Sequence, residues 1–388
     1  MKTADRILRI QPSITLEMTA KAAELRSQGV DVVNLSVGEP DFDTPENIKK
    51  AAYQALKEGK TKYTAGSGIP GLKKAVIKKL KRDNNLDYNQ ENIIISCGGK
   101  HTLYNASQVL FQKNDEVIIF SPYWVSFPDF ISVTGAKPVV VPTIASKQYE
   151  PDFKVLEQSI NKNTKGIIIN SPSNPTGGVW SNNAIERVLK LAKEKDLWVF
   201  SDECYEQLTY DKKFISIQNF DLSNNKILTF QSCSKTYSMT GWRIGYVAGH
   251  EAIIKAMAKL QSQSTSCPNS IAQHAAIEAL IGDQSVVSQM KRTFKRRRDL
   301  IVNELNNIEG ISCENPGGAF YVFPSLEDLI KKNKIKSAWD FCFQLLEDKA
   351  IASVPGRSFG AENNIRFSYA ISSERIKLAV QRIKELLN

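Results

Sequence analysis

Lys235 stands alone among hydroxyls in Ser232-Cys233-Ser234-Lys235-Thr236-Tyr237-Ser238, just after an apolar run, Ile227 to Phe230. Eight residues later Arg243 follows, set between Trp242 and Ile244. Two readings of the amine are open. In a lysine-rich chain it can be a solvated loop residue. If instead it is buried, its charged form loses hydration, its pKa falls, and the neutral amine becomes a nucleophile toward aldehydes. Ser232 and Arg243 would then suit a phosphate, because a guanidinium matches phosphate oxygens with paired hydrogen bonds.

Similar punctuation follows other apolar runs. Ile93 to Ile95 leads into Cys97-Gly98-Gly99-Lys100, and Val117 to Phe120 into Ser121-Pro122-Tyr123-Trp124. Ile167 to Ile169 leads into Asn170-Ser171-Pro172-Ser173-Asn174-Pro175-Thr176-Gly177, and Leu197 to Phe200 into Ser201-Asp202-Glu203-Cys204-Tyr205. Val139 to Val141 and Tyr246 to Ala248 complete the set of strand candidates, with helical patterns such as Ala184 to Lys195 between them. Strand, turn and helix repeated from residue 91 predict a mostly parallel sheet covered on both faces. Ligands of such sheets bind beyond the carboxyl ends of the strands, and glycines opening a helix expose amides that cradle phosphate. One sheet edge therefore gathers glycines, an aromatic, an amide, an acid, a phenol, hydroxyls and a lysine.

The elements that must position these groups divide the chain. Residues 1–45 hold a helix, Leu16 to Gln28, closed by Gly29, then a strand-like Val30 to Val37 and the turn Gly38-Glu39-Pro40-Asp41. Ser13 and Thr15 stand ahead of that helix, as caps or as ligand contacts. Thr44-Pro45-Glu46 has the form of a helix start, with Thr44 as cap. Past residue 285 the alternation stops: a long basic helix, Val286 to Leu305, is followed by Gly317 to Val322, by strands Ile351 to Val354 and Ile365 to Ser368, and by a last helix ending near Leu387. The fold expected is α/β: a large domain, 46–285, with a mostly parallel seven-stranded sheet between helices, plus a smaller α+β domain built from both chain ends, 1–45 and 286–388. Arg366 lies in the last strand, as an edge-strand surface residue or as a ligand contact.

Other classes fit less well. Gly66, Gly68 and Gly71 satisfy G-x-G-x-x-G, with Glu91 at a spacing suited to ribose, but a helix and the polar Lys60 to Lys62 precede them instead of a buried strand, and Pro70 interrupts the turn. The six cysteines are scattered without C-x-x-C, and the three histidines form no ligand spacing with them, so no metal is expected. A formal charge of +10 raises nucleic acid, yet the lysines are spread over helix faces without a binding motif, and no nucleic-acid partner is expected. No apolar run approaches the roughly 20 residues of a spanning helix, and Met1 to Ile10 lacks a signal-peptide core. A cytoplasmic protein with no membrane association is expected.

Taken together, Pro122-Tyr123-Trp124, Asn174-Pro175-Thr176-Gly177, Ser201-Asp202-Glu203-Cys204-Tyr205, Ser232-x-Ser234-Lys235 with Arg243, and the late Arg366 occur in the order of a known family. Over essentially the whole chain the sequence resembles the fold-type I pyridoxal-phosphate aminotransferases (class I/II), and within them the bacterial aspartate aminotransferase branch, which includes aspartate/prephenate enzymes. The resemblance implies pyridoxal 5'-phosphate as cofactor. Lys235 would form the Schiff-base link and carry the proton, Asp202 would pair with the pyridine nitrogen, and Tyr205 and Asn174 would bond the phenolic oxygen. Trp124 would stack on the ring, while Gly99, Lys100, Ser232 and Arg243 would take the phosphate. Tyr63 resembles the residue that relatives lend to the neighbouring subunit, which implies a homodimer with shared sites. Arg366 would clamp the substrate α-carboxylate, with Gly38, Asn174 and Trp124 beside it. No position matches the partner-subunit arginine that many relatives use for the distal carboxylate; Lys100 with Ser13 and Thr15 would serve instead. The implied reaction is ping-pong transfer of an amino group between aspartate or glutamate and 2-oxoglutarate or oxaloacetate. The alternative is an aromatic or prephenate aminotransferase, although Gln11 stands where certain prephenate users carry a basic residue.

Overall fold

A computed structural model describes residues 3–10 and 14–387, apart from the side chains of Thr15 and Leu16. Its main feature is an eight-stranded sheet. In spatial order the strands are Ile93–Ser96, Gly245–Ala248, Ile227–Ser232, Trp198–Asp202, Thr164–Asn170, Glu116–Ser121, Lys137–Ile144 and Glu150–Pro151. The five strands from Ile227–Ser232 to Lys137–Ile144 run parallel, while Gly245–Ala248 is antiparallel to both its neighbours. The seven expected strands are all present. The eighth, Glu150–Pro151, pairs antiparallel with the end of Lys137–Ile144; two residues are too short to show a two-residue period.

The strands read as unbroken apolar runs because both faces are covered. Val117, Ile119, Ile168, Phe200 and Phe230 pack on one side, and Ile118, Phe120, Ile167, Ile169, Val199 and Ile227 on the other. Since side chains alternate across a strand, the central strands Ile227–Ser232 and Trp198–Asp202 are buried on both faces almost throughout, while the outer Lys137–Ile144 leaves Val140 exposed.

Both chain ends contribute to smaller sheets. Tyr321–Val322, Ile365–Ser368 and Val354–Pro355 form an antiparallel trio with Ile365–Ser368 at its centre. Arg366 is therefore not on an edge strand, and it is only 2% exposed. Of the expected Val30 to Val37 strand only Val33–Asn34 pairs, parallel to Ile351–Ala352. It stops there because the Asn34 side chain accepts from the Ser36 amide (3.0 Å) and hydroxyl (2.7 Å), an Asx turn that bends the chain toward Gly38.

Thr44 does not cap the helix Glu46–Lys57, which begins without a side-chain cap. Its hydroxyl donates to the Ser238 carbonyl at 2.6 Å and accepts from Trp242 Nε1 at 2.9 Å, tying the N-terminal segment to the turn after Lys235. The basic run on helix Ser285–Asn306 is likewise not all solvated. Arg297 makes a two-pronged pair with Asp41 (2.7 and 2.9 Å), and Arg298 pairs with Asp211; both arginines are buried. All six cysteines are free. Among the described residues no helix is long and apolar enough to cross a membrane.

Candidate active site

A cavity of about 980 Å³ opens beyond the carboxyl ends of the parallel strands, where the small sheet faces the large one. Gly38, Gly99, Lys100, Trp124, Asn174, Asp202, Tyr205, Ser232, Lys235, Arg243 and Arg366 all line it. Tyr63 does not; it is 90% exposed, in the connection between the helices Glu46–Lys57 and Pro70–Asn84. Ser13 and Gln11 lie outside the described residues, as does the side chain of Thr15.

Lys235 sits in a one-turn helix, Cys233–Thr236, that starts where strand Ile227–Ser232 ends. Ser232 caps that turn, its hydroxyl accepting from the Ser234 amide at 2.9 Å. The lysine Nζ donates to the Gly38 carbonyl. Burial lowers its pKa, opposed by Cys204 and Glu39 and reinforced by Arg243 and Arg366. These are the conditions under which an amine serves as nucleophile and base.

Asp202 ends the neighbouring strand. Burial pushes its carboxyl up to about 6, while the Cys204 amide (3.2 Å) and the Lys235 charge pull it down. Asn170, opposite Asp202 in register, donates to the Asp202 carbonyl (3.1 Å) and accepts from the Asn174 amide (2.8 Å), so it fixes the loop that presents Asn174. Tyr205 Oη lies 2.8 Å from Tyr321 Oη. Both phenols are buried and both pKa values are raised, chiefly by burial; Tyr321 rises only to about 12, because the Arg366 charge and the Tyr205 hydrogen bond oppose it.

At the sheet's edge, Gly98 (φ +93°) precedes helix Gly99–Leu110, whose first residues, Gly99 and Lys100, line the cavity with Ser232 and Arg243. A Cβ on Gly98 would lie 2.4 Å from Arg243 Nη2, and one on Gly245 would lie 2.3 Å from the Gly99 amide nitrogen. Helix amides, a hydroxyl and a guanidinium thus converge on a concavity that only glycines leave open, an arrangement suited to a phosphate. Lys100 Nζ lies 5.0 Å from the Trp124 ring centroid, and its pKa is lowered by burial and by Arg243.

Arg366 faces the same space from the small sheet. Nη1 donates to Asn174 Oδ1 at 2.9 Å and Nη2 to the Ser36 carbonyl at 2.6 Å, while the guanidinium stacks near the Tyr321 and Phe359 rings. Its Nε is buried with no hydrogen-bond partner. A buried guanidinium whose acceptors are neutral retains its positive charge without a counter-ion, an arrangement suited to a carboxylate.

Tyr321 was missed from sequence. It follows Gly317-Gly318, a pair that lets backbone approach closely, and that was the available signal. Gly38 depends on it: a Cβ there would lie 2.8 Å from Tyr321 Oη. Gly38→Ala is expected to cost about 1–3 kcal/mol by overpacking. Tyr321→Phe in the same background should recover part of that by removing the clashing hydroxyl, as read by urea denaturation of the four proteins. No recovery would show that the loss arises elsewhere.

A parallel sheet whose strand ends carry this lysine, acid and phosphate cradle, faced by an arginine from a smaller sheet, defines a class of enzyme. A family model described as aminotransferase class I and II matches residues 30–383, and the chain belongs to that family. Among relatives, it is 43% identical over 389 residues to an aspartate aminotransferase of Bacillus subtilis, covering 100% of this chain and 99% of the relative. It is also 43% identical to an aspartate/prephenate aminotransferase of Cereibacter sphaeroides, covering 98% and 97%. A solved structure of the Thermus thermophilus aspartate aminotransferase with maleate superposes with a TM-score of 0.94 at 39% identity, covering 100% of both chains.

Proposed function

We propose that this aminotransferase uses pyridoxal 5'-phosphate to exchange the amino group between L-aspartate or glutamate and 2-oxoglutarate or oxaloacetate, in a ping-pong cycle. The observation that carries the reading is the buried Arg366, with an unpaired Nε, across the same cavity as the half-buried Lys235. The cofactor fits the residues present: the glycine cradle beside Ser232 and Arg243 suits its phosphate, Asp202 its pyridine nitrogen, and Tyr205 with Asn174 its phenolic oxygen. When bound, pyridoxal phosphate supplies the electron sink that makes the substrate Cα proton removable.

The chain's own residues do the rest. Lys235 would hold the cofactor through its amine and would take and return the substrate Cα proton. Asp202 would pair with the pyridine nitrogen and favour its protonated form. Trp124 covers the ring face, and Tyr205, held by Tyr321, keeps the ring oxygen's donor oriented. Arg366 grips the α-carboxylate with Asn174 and Gly38 alongside, leaving the side chain of the substrate to point toward Lys100. Ser13 and Thr15 complete the distal contact in this proposal.

We extend the reading to a cytoplasmic homodimer, in which the 90% exposed Tyr63 reaches the partner's phosphate. Within each subunit, 46–285 is the large cofactor-binding unit, and 1–45 with 286–388 the small one. This division is supported by the small sheets drawn from both chain ends.

Assaying aspartate, glutamate, phenylalanine and alanine as donors against 2-oxoglutarate, oxaloacetate and prephenate tests the function. The purified protein should show a visible absorbance band that borohydride removes; a colourless protein without transfer activity would overturn the reading. Lys100→Ala should lower kcat/KM for aspartate about tenfold or more beyond its effect on alanine. Equal losses would remove Lys100 from the distal site. The Cereibacter relative's name makes prephenate the second acceptor to measure.

A further inference from the structure

Against the wall of the cavity, which Gln231 itself lines, lies a buried polar cluster that none of the roles above uses. The helix Pro70–Asn84 turns an apolar stripe, Leu72, Ala75, Val76 and Leu80, toward the core, and Lys79 falls within it at 1% exposure. Its Nζ pairs with Glu206 and donates to Asn84 Oδ1 (2.9 Å) and Gln231 Oε1 (2.7 Å). Asn84 Nδ2 donates to the other Glu206 oxygen at 2.6 Å.

Gln231 is the hub. Its Oε1 also accepts from Tyr246 Oη (3.0 Å), and its Nε2 donates to Glu203 Oε2 (3.2 Å). The other Glu203 oxygen accepts from the hydroxyls of Ser201 and Ser216 (2.8 Å each) and from the Ile217 amide (3.0 Å). Burial and the Glu206 charge push this carboxyl up to about 7, and the Ser201, Ser216 and Ile217 donors oppose them.

The positions in sequence matter. Glu203 follows Asp202 and Glu206 follows Tyr205, so the two acids flank the groups that would face the pyridine nitrogen and the phenolic oxygen. Gln231 precedes Ser232 and lies four residues before Lys235. A buried ion pair adds little net stability over apolar residues of the same volume, but a fully satisfied buried network fixes geometry.

We propose that Gln231, held by Lys79 and Tyr246, is a positioning residue for the cofactor site: through Glu203 it locks the strand end bearing Ser232 and Lys235 against the turn bearing Asp202 and Tyr205. This rests on the pyridoxal phosphate reading. Wild-type protein that binds no pyridoxal phosphate would overturn that reading; the variants below address the network alone.

Gln231→Met removes the link between the two acids while leaving Lys79 with Glu206 and Asn84, and Glu203 with its other three donors. Titrating pyridoxal phosphate into resolved protein should give a Kd raised about tenfold or more. The pH titration of the visible band should shift. At saturating cofactor, kcat should fall while KM for aspartate changes less than about twofold, because Arg366 lies outside the network. The double variant Lys79→Met/Glu206→Gln takes away the support of the hub without leaving a charge unpaired, and should show the same losses at a melting temperature close to wild type. Cofactor affinity and band titration like wild type in both variants, whatever their melting temperatures, would show a network that serves stability alone. Failure of both variants to accumulate as folded protein would overturn the proposal in the same direction.

Discussion

Lys235→Ala is expected to lower transamination by about four orders of magnitude or more while the protein stays folded. Both halves follow from the surroundings of the amine. Nζ donates to the Gly38 carbonyl, and desolvation together with the charges of Arg243 and Arg366 disfavours its charged form. Removing such an amine relieves a desolvation cost, so melting temperature should hold or rise. Among the described residues the other lysine lining the cavity is Lys100, and its Nζ sits over the Trp124 ring, 5.0 Å from the centroid. The measurement is single-turnover conversion of aspartate by the variant loaded with pyridoxal phosphate, alongside a thermal melt. Retention of more than about a hundredth of wild-type activity would mean that another base moves the Cα proton.

Arg366→Lys is the second large effect, expected to lower kcat/KM about 10²- to 10³-fold for aspartate and alanine alike. The substitution keeps the charge but loses the geometry. One arm of the guanidinium meets Asn174 and the other the Ser36 carbonyl, with the plane held near the Tyr321 and Phe359 rings. An ammonium can satisfy one of those acceptors and cannot present a flat pair of donors to a carboxylate. Equal losses for both donors would mark an α-carboxylate contact; a loss confined to aspartate would place Arg366 at the distal end instead. Comparing the two donors with Lys100→Ala thus separates the ends of the substrate.

The large sheet was legible because its strands are buried on both faces: unbroken runs such as Val117 to Phe120 could be nothing else at that length between turn residues. The site was legible at strand ends for the same reason, since Asp202 and Lys235 interrupt apolar runs abruptly. What escaped had different physics. Glu150–Pro151 is too short for a period. Val33–Asn34 is cut off by an Asx turn, a side-chain choice that composition does not reveal. Thr44 looked like a cap and instead bridges Ser238 and Trp242, a contact between residues almost 200 positions apart. Tyr321 comes from a sheet of two- to four-residue strands, where long-range pairing overrides local pattern; Arg366 was read in its strand, and only the central, buried place of that strand was not. Lys79, Glu203 and Glu206 carry no signal of their own in the sequence; only their tertiary partners distinguish them.

The stretch from Ser36 to Gly38 gives both cationic residues an acceptor, Ser36 to Arg366 and Gly38 to Lys235, and in each case the acceptor is a main-chain carbonyl. Every amino acid carries that group, so the function written there lies in the path of the chain and not in its letters. Position 36 is buried and limited to small residues that keep the bend set by Asn34, while position 38 is confined to glycine by a neighbouring phenol. Two adjacent contributors to one site would then evolve under very different constraints, and a catalogue of invariant side chains would find only one of them.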